Sequence, residues 1–229
     1  MMFLVSSSTF VDHGFGIMAT PSLAQNYAGI DAGMSWAADN EAFAGKFDAD
    51  RFFPWLERLE RWKSTCLFVT VPDVVGDAAA TLEKFDVLSQ WMLDWPVAYV
   101  AQDGSEYRPI PECACVFIGG TTEWKMGPGA LRIIGRAMGR GKRIHIGRVN
   151  FWKRYRHFSG IGGSNEWTCD GTRNRFEGLA NSVADWQKCM DSPSEPYLPI
   201  PERDSVSESI GGVAGAKGDD SQRLPVDRA

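Results

Sequence analysis

Short apolar runs alternate with amphipathic segments along most of this 229-residue chain. Seven runs of four to six residues have the composition of buried strands, at 3–6, 35–38, 66–71, 97–101, 115–118, 143–146 and 166–169. Apolar residues at helical spacing lie between them, at 50–62, 77–93, 128–139 and 178–190. Apolar strands that alternate with helices are typical of a parallel sheet covered on both faces. The pattern predicts an α/β fold, either a doubly wound sheet or a (β/α) barrel.

Polar or glycine-rich clusters follow most of these strands and distinguish the two folds. They lie at 38–40, 72–73, 102–104, 119–123, 147–150 and 170–173. A (β/α) barrel assembles its site from the carboxyl ends of many strands, whereas a doubly wound sheet uses one switch point. We therefore predict a (β/α)8 TIM-barrel-like domain over 1–190. It is expected to be small or partly incomplete, because such barrels typically have about 250 residues.

The last 39 residues differ in composition from the rest of the chain. The segment 191–229 is rich in Pro, Ser, Gly and Asp, and it has few apolar residues to offset the entropy of ordering. We predict a flexible, disordered tail.

The charge is distributed unevenly, although the chain as a whole has a net charge of −5. The segment from Trp124 to Asn165 contains ten Lys and Arg residues and no Asp or Glu. A basic segment of this kind indicates a surface for a polyanion, usually a nucleic acid. A set of solvated helix surfaces is the alternative interpretation.

Composition also bears on location. No apolar run approaches the roughly 18–20 residues of a membrane span, and the opening MMFLVSSSTF lacks the basic region of a signal peptide. The five cysteines form no disulfide framework. We predict a cytoplasmic protein with no membrane partner.

Three aspartates are candidates for chemistry, because Asp39, Asp73 and Asp170 each follow an apolar strand. Two carboxylates that face one cleft can act as nucleophile and general acid or base. An Asp at such a place can instead cap the following helix, which is our interpretation of Asp77. Asp103 is equally consistent with a role in stabilising a turn.

Other motifs are less specific. Gly119-Gly120 permits a ligand to approach the backbone closely. His145 lies within an apolar run and is expected to be a core histidine. The Cys113-Ala114-Cys115 pair lacks further ligands at zinc-site spacing, so no metal is predicted.

The order of these clusters resembles the tRNA-guanine transglycosylase superfamily, and within it the DNA-directed, DpdA-type 7-deazaguanine transglycosylases that include short phage-encoded members. The resemblance runs from about residue 35 to 175. It rests on the segments ADNEAF at 38–43, VPDVVGD at 71–77, AQDG at 101–104, IGGTTEWK at 118–125, HIGRVN at 145–150 and CDGT at 169–172.

The resemblance implies a role for each matched residue. Asp170 would be the nucleophile and Asp39 the general acid or base. The guanine base would be bound by Asp73, Gln102, Gly119 and Gly120. The nucleic acid would be held by Lys125, Arg148, Lys153, Arg154, Arg156 and Arg173.

The tRNA enzymes carry a cysteine–histidine zinc site after the nucleophile, whereas Asp170 is followed here by one cysteine and no histidine. The expected function is therefore exchange of guanine in double-stranded DNA for a 7-deazaguanine such as preQ0, in a phage-infected bacterium. No other cofactor is implied. The alternatives are the same exchange on tRNA, a hydrolytic N-glycosylase, and a non-catalytic nucleic-acid-binding barrel.

Overall fold

Eight parallel strands close into a barrel in the computed structural model, which describes residues 1–6, 14–22, 27–150, 152–161 and 167–171 together with Ala184 and Lys188. The strands are β1 (Met2–Val5), β2 (Gly16–Ala19), β3 (Trp36–Ala38), β4 (Cys66–Thr70), β5 (Val97–Ala101), β6 (Cys115–Ile118), β7 (Arg143–Ile146) and β8 (Trp167–Asp170). Each strand pairs with the next, and β8 closes the barrel against β1, with Leu4 opposite Asp170. The structure confirms the predicted TIM-barrel-like fold.

Short connections make the barrel compact. The helices are α1 (Ala28–Asp31), α2 (Ala49–Arg58), α3 (Ala78–Leu88), α4 (Thr122–Lys125), α5 (Pro128–Met138) and α6 (Trp152–Ser159). Single 3-10 turns add Ala42–Ala44, Glu60–Thr65, Ser89–Met92 and Ser105–Tyr107. Because α1 and α4 have four residues each and the strands three to five, eight strands fit into the first 170 residues.

The helix starts follow from local sequence. The Asp77 side chain accepts hydrogen bonds from the N–H groups of Ala79 and Ala80 at 2.9 and 3.0 Å, which confirms it as the cap of α3. Pro128 is the first residue of α5, where its missing N–H costs no hydrogen bond. Because α3 and α5 begin at these residues, the segments that precede them, after the strands, can carry polar residues.

Strand alternation divides the core into two layers. The side chains inside the barrel are mostly apolar and include Leu4, Met18, Ala37, Phe68, Ala98 and Cys115. The alternate strand residues pack outward against the helices. On β7, Ile144 and Ile146 belong to this outer layer, whereas the His145 ring lies inside the barrel beside Phe68 and Phe117.

Several elements differ from the sequence prediction. Strand β2 was not predicted, because its four residues GIMA are too short and too weakly apolar to stand out, and α6 was not predicted either. Met138 near the end of α5 is 41% exposed, since the helix turns Ile133, Ile134 and Ala137 inward. The predicted helix at 178–190, except Ala184 and Lys188, and the predicted tail at 191–229 lie outside the described residues.

None of the helices in the described ranges has both the length and the apolar character needed to cross a membrane.

The barrel interior should tolerate truncation poorly. Phe68 is fully buried, with its ring 6.3 Å from Phe117 and 4.9 Å from His145. We expect Phe68→Ala to lower the free energy of unfolding by about 3–5 kcal/mol, because it removes contacts and leaves a cavity. The control Trp91→Ala removes a side chain that is 76% exposed and should change it by about 0.5 kcal/mol or less. Equal effects in urea titrations would contradict this packing.

Candidate active site

A cavity of about 470 Å³ lies at the carboxyl ends of the barrel strands, as predicted for a site in this fold. All eight strands, or the turns that follow them, contribute to its wall. Its lining includes Leu4, Met18, Thr20, Asp39, Thr70, Asp73, Val100, Gln102, Phe117, Gly119, Arg148 and Asp170. Apolar side chains therefore share this cavity with the carboxyl groups of Asp39, Glu41, Asp73 and Asp170, an arrangement that suits a flat, polar-edged ligand.

Asp170, the last residue of β8, is held by two N–H donors. Its Oδ1 atom accepts from the backbone N–H of Arg148 at 2.8 Å and lies 3.3 Å from His145 Nε2. Burial pushes the pKa of Asp170 upward, but the His145 hydrogen bond, the Arg148 N–H and the nearby Lys125 charge outweigh it, so the pKa lies below its usual value. Asp170 is therefore a carboxylate at neutral pH.

Asp39 follows β3 and has the opposite tendency. Burial and, next in size, the negative charge of Asp170 raise the pKa of Asp39 to about 7. Among the described residues, one hydrogen bond favours its ionised form, from the Glu41 N–H to Oδ1 at 3.1 Å. Asp39 thus exchanges a proton near neutral pH in the same cavity in which Asp170 is ionised.

The two residues whose backbone N–H groups bind Asp39 and Asp170 have an unusual backbone conformation. Glu41 and Arg148 are the non-glycine residues of the described chain with left-handed φ angles, 63° and 59°. Glycine would adopt this conformation without strain, so both positions keep a side chain at a cost of roughly 1–2 kcal/mol. The Glu41 carboxylate pairs with Arg51 at 2.7 Å and with the Ser22 hydroxyl, which holds the turn beside Asp39.

Asp73 and Gln102 form a hydrogen-bonded unit on the wall of the cavity. Gln102 Nε2 donates to Asp73 Oδ2 at 2.7 Å, and Gln102 Oε1 accepts from the N–H groups of Gly76 and Gly120, both at 3.1 Å. Asn40 Nδ2 is 3.5 Å from Asp73 Oδ1. Burial raises the pKa of Asp73. These hydrogen bonds fix the positions of the Asp73 and Gln102 side chains before any ligand binds.

Gly119 and Gly120 form a stretch of bare backbone in this wall. A Cβ atom at Gly119 would lie 2.9 Å from Val100 Cγ1 and 3.0 Å from the Ala101 oxygen. Gly120 has a φ of 59°, and a Cβ there would lie 2.5 Å from the Trp124 ring. Side chains are excluded at both positions, so a ligand can contact the backbone directly.

Arg148 closes one side of the cavity. Its guanidinium donates to the Gly120 carbonyl and stacks 4.1 Å above the ring of Phe43, which is 62% exposed. Arg154 Nη1 donates to the Arg148 carbonyl at 3.0 Å and supports the same turn. The two arginines place positive charge at the rim of the cavity.

The basic residues expected to hold a nucleic acid differ in their exposure. Lys125 is 1% exposed and donates to the Gly147 carbonyl, so the prediction that it contacts phosphate is wrong for this structure. Its burial, with the charge of Arg148, lowers the pKa of Lys125 to about 7. Arg148, Arg154 and Arg156 are partly exposed. The Lys153 side chain and Arg173 lie outside the described residues.

His145 and Thr168 are site residues that the sequence analysis missed. His145 is buried as expected, but its ring nitrogens contact Thr168 Oγ1 at 2.8 Å and Asp170. The missing signal was alternation on two neighbouring strands. It turns His145 inward from β7, and it places Thr168 on the same interior face of β8 as Asp170.

Two further observations concern groups that could contact a ligand. The described residues include no group of three or more His, Cys, Asp or Glu side chains that could hold a metal ion. Among the described residues, Thr20 Oγ1 is buried in the cavity wall without a hydrogen-bond partner.

No protein-family model, curated protein or solved structure matches this chain. The resemblance to transglycosylases therefore stays a prediction, and the functional argument rests on the geometry of the cavity.

The raised pKa of Asp39 has a measurable consequence for stability. Because the folded-state pKa, about 7, exceeds the ordinary value of 3.8, its contribution is fully present below pH 4 and is lost as the pH rises through 7. Asp39→Asn cannot ionise. We expect this variant to gain stability relative to the wild type between pH 4 and pH 8, by about 4 kcal/mol for a shift of about three pKa units.

Denaturant titrations at both pH values measure this gain. Asp94→Asn removes an exposed carboxylate and controls for the loss of one negative charge. A difference between Asp39→Asn and the wild type that stays constant with pH would contradict the assigned protonation of Asp39.

Proposed function

We propose that this protein is a base-exchanging guanine transglycosylase that replaces guanine in DNA with a 7-deazaguanine such as preQ0. The observation that carries the proposal is the pair Asp39 and Asp170, which face one cavity with their pKa values shifted in opposite directions. Glycosyl transfer of this kind needs one ionised carboxyl group as nucleophile and one protonated carboxyl group as acid. The pKa values of the two groups must therefore differ.

The first half-reaction follows from these protonation states. The Asp170 carboxylate attacks C1′ of the deoxyribose as the C1′–N9 bond breaks, and the bonding electrons pass to the departing guanine. Asp39 donates the proton that neutralises this base. The products are free guanine and an ester between Asp170 and the sugar.

The second half-reaction reverses the first with a different base. The 7-deazaguanine attacks C1′ through N9, and the C1′–oxygen bond to Asp170 breaks, which regenerates the carboxylate. The ionised Asp39 accepts the proton released from N9. One N-glycosidic bond replaces another, so the exchange needs neither an external energy source nor a redox group.

The wall of the cavity offers a means of recognising guanine. An ionised Asp73 accepts hydrogen bonds from the N1–H and exocyclic amine of guanine, and Gln102 orients that carboxylate through its 2.7 Å bond. The bare backbone at Gly119 and Gly120 lets the base edge come close. Apolar contacts from Met18, Val100 and Phe117 suit the faces of the ring.

A guanine in duplex DNA must leave the base stack to enter such a cavity. Arg148 and Arg154 at the rim provide positive charge for the flanking phosphates. DNA is proposed rather than tRNA because the segments between 38 and 172 resemble the DNA-directed branch of the superfamily.

A covalent-trapping assay tests the proposal. Purified protein is incubated with guanine-containing duplex DNA or with tRNA, each with and without preQ0. Denaturing gels detect the adduct, and nucleoside mass spectrometry detects exchange. We expect an adduct and exchange on DNA, with both lost in Asp170→Asn and both retained in the control Asp94→Asn.

Other outcomes would reassign the protein. Exchange on tRNA alone would identify a tRNA enzyme. Release of guanine without incorporation of preQ0 would identify a hydrolytic N-glycosylase that uses the same carboxylates. Tight DNA binding with neither adduct nor base release would contradict catalysis and leave a nucleic-acid-binding barrel.

A further inference from the structure

His145 is an isolated polar ring inside the barrel. It is fully buried, and its ring lies 4.4 Å from the Phe117 ring and 4.9 Å from the Phe68 ring. Its two nitrogens make one polar contact each, Nδ1 with Thr168 Oγ1 at 2.8 Å and Nε2 with Asp170 Oδ1 at 3.3 Å. A buried imidazole with two defined partners has a fixed orientation.

The partners also determine which nitrogen carries the proton. Burial lowers the pKa of His145, so the ring is neutral and has a single N–H. The Asp170 carboxylate can only accept a hydrogen bond, which requires the proton on Nε2. Nδ1 then accepts, and the Thr168 hydroxyl donates to it. The Asp170 carboxylate therefore sets the tautomer, and the Thr168 hydroxyl supplies the donor that Nδ1 then needs.

The two oxygens of Asp170 are not equivalent. Oδ1 receives both the His145 Nε2–H and the Arg148 backbone N–H, whereas Oδ2 has no donor among the described residues. A hydrogen-bonded oxygen is a weaker nucleophile than a free one. The free atom, Oδ2, is thus the more reactive oxygen.

We propose that His145 is a positioning residue for Asp170: it binds Oδ1, leaves Oδ2 to face the sugar, and is itself held in place by the Thr168 hydroxyl. The reactive consequence rests on the function proposed above. Oδ2 forms the bond to C1′ as the C1′–N9 bond breaks, and Oδ1 becomes the carbonyl oxygen of the ester. When the incoming base breaks the Oδ2–C1′ bond, the electron pair returns to a carboxylate whose Oδ1 already has two donors.

Three substitutions test the positioning role. His145→Gln keeps an N–H donor on a shorter side chain, His145→Phe keeps the ring but removes the donor, and Thr168→Val removes only the hydroxyl. We expect the single-turnover rate constant for adduct formation to fall about 100-fold in His145→Phe and about 10-fold or less in His145→Gln. The dissociation constant for DNA should stay within about twofold, because His145 does not reach the substrate.

Thr168→Val gives the sharper comparison. It should lower the rate constant about 10-fold when His145 is present and have no further effect in the His145→Gln background, since the hydroxyl then has no imidazole ring to hold in place. Equal effects of Thr168→Val in both backgrounds would contradict the proposal. So would a His145→Phe variant that is folded by circular dichroism and forms the adduct at the wild-type rate.

A second readout does not depend on activity. Nitrogen-15 NMR of labelled histidine distinguishes the tautomers, and the loss of one signal set in His145→Gln assigns the residue among the three histidines. We expect the neutral Nε2–H form in the wild type and in Thr168→Val, because Asp170 still accepts from Nε2, with a changed Nδ1 chemical shift in the variant because Nδ1 loses its donor. A neutral Nδ1–H form in the wild type would overturn the proposal. If the wild type shows the expected tautomer but forms no adduct, the proposed function fails while the Thr168–His145–Asp170 arrangement stands.

Discussion

Two carboxyl groups share a single cavity in which neither is well solvated, and the rest of the site follows from how the barrel resolves their repulsion. Asp170 receives two N–H donors and the field of Lys125, whereas Asp39 receives one donor and the field of Asp170. Burial and the charge of Asp170 both disfavour a second negative charge at Asp39. One group therefore ionises and the other keeps a proton until about pH 7.

The barrel provides the donors at the cost of local strain. Glu41 and Arg148 have left-handed backbones, and each directs its own N–H to one of the two carboxylates. The side chains of both residues make contacts that a glycine would lack. Glu41 forms an ion pair with Arg51, and Arg148 donates a hydrogen bond to the Gly120 carbonyl. Strain of this kind persists where surrounding contacts determine the conformation, and it concentrates at functional sites.

Much of this arrangement is readable from the sequence, because parallel strands end at one edge and carry their following residues into a common cavity. Asp39, Asp73, Gln102 and Asp170 meet there as the strand order predicted. The local pattern was insufficient where the answer depends on neighbouring elements. Strand β2 becomes recognisable only from its pairing with β1 and β3, and His145 only from its position opposite Thr168. Lys125 was assigned to the surface because charge alone does not reveal that the Gly147 carbonyl binds it inside.

The central claim is that one cavity holds an ionised and a protonated carboxyl group near neutral pH. Carbon-13 NMR of protein labelled at the aspartate carboxyl groups measures it directly, with Asp39→Asn and Asp170→Asn used to assign the two signals. We expect Asp39 to titrate near pH 7 and Asp170 to titrate below the usual range of an aspartate. Titration of both groups together near pH 4 would contradict the division of roles on which the account rests.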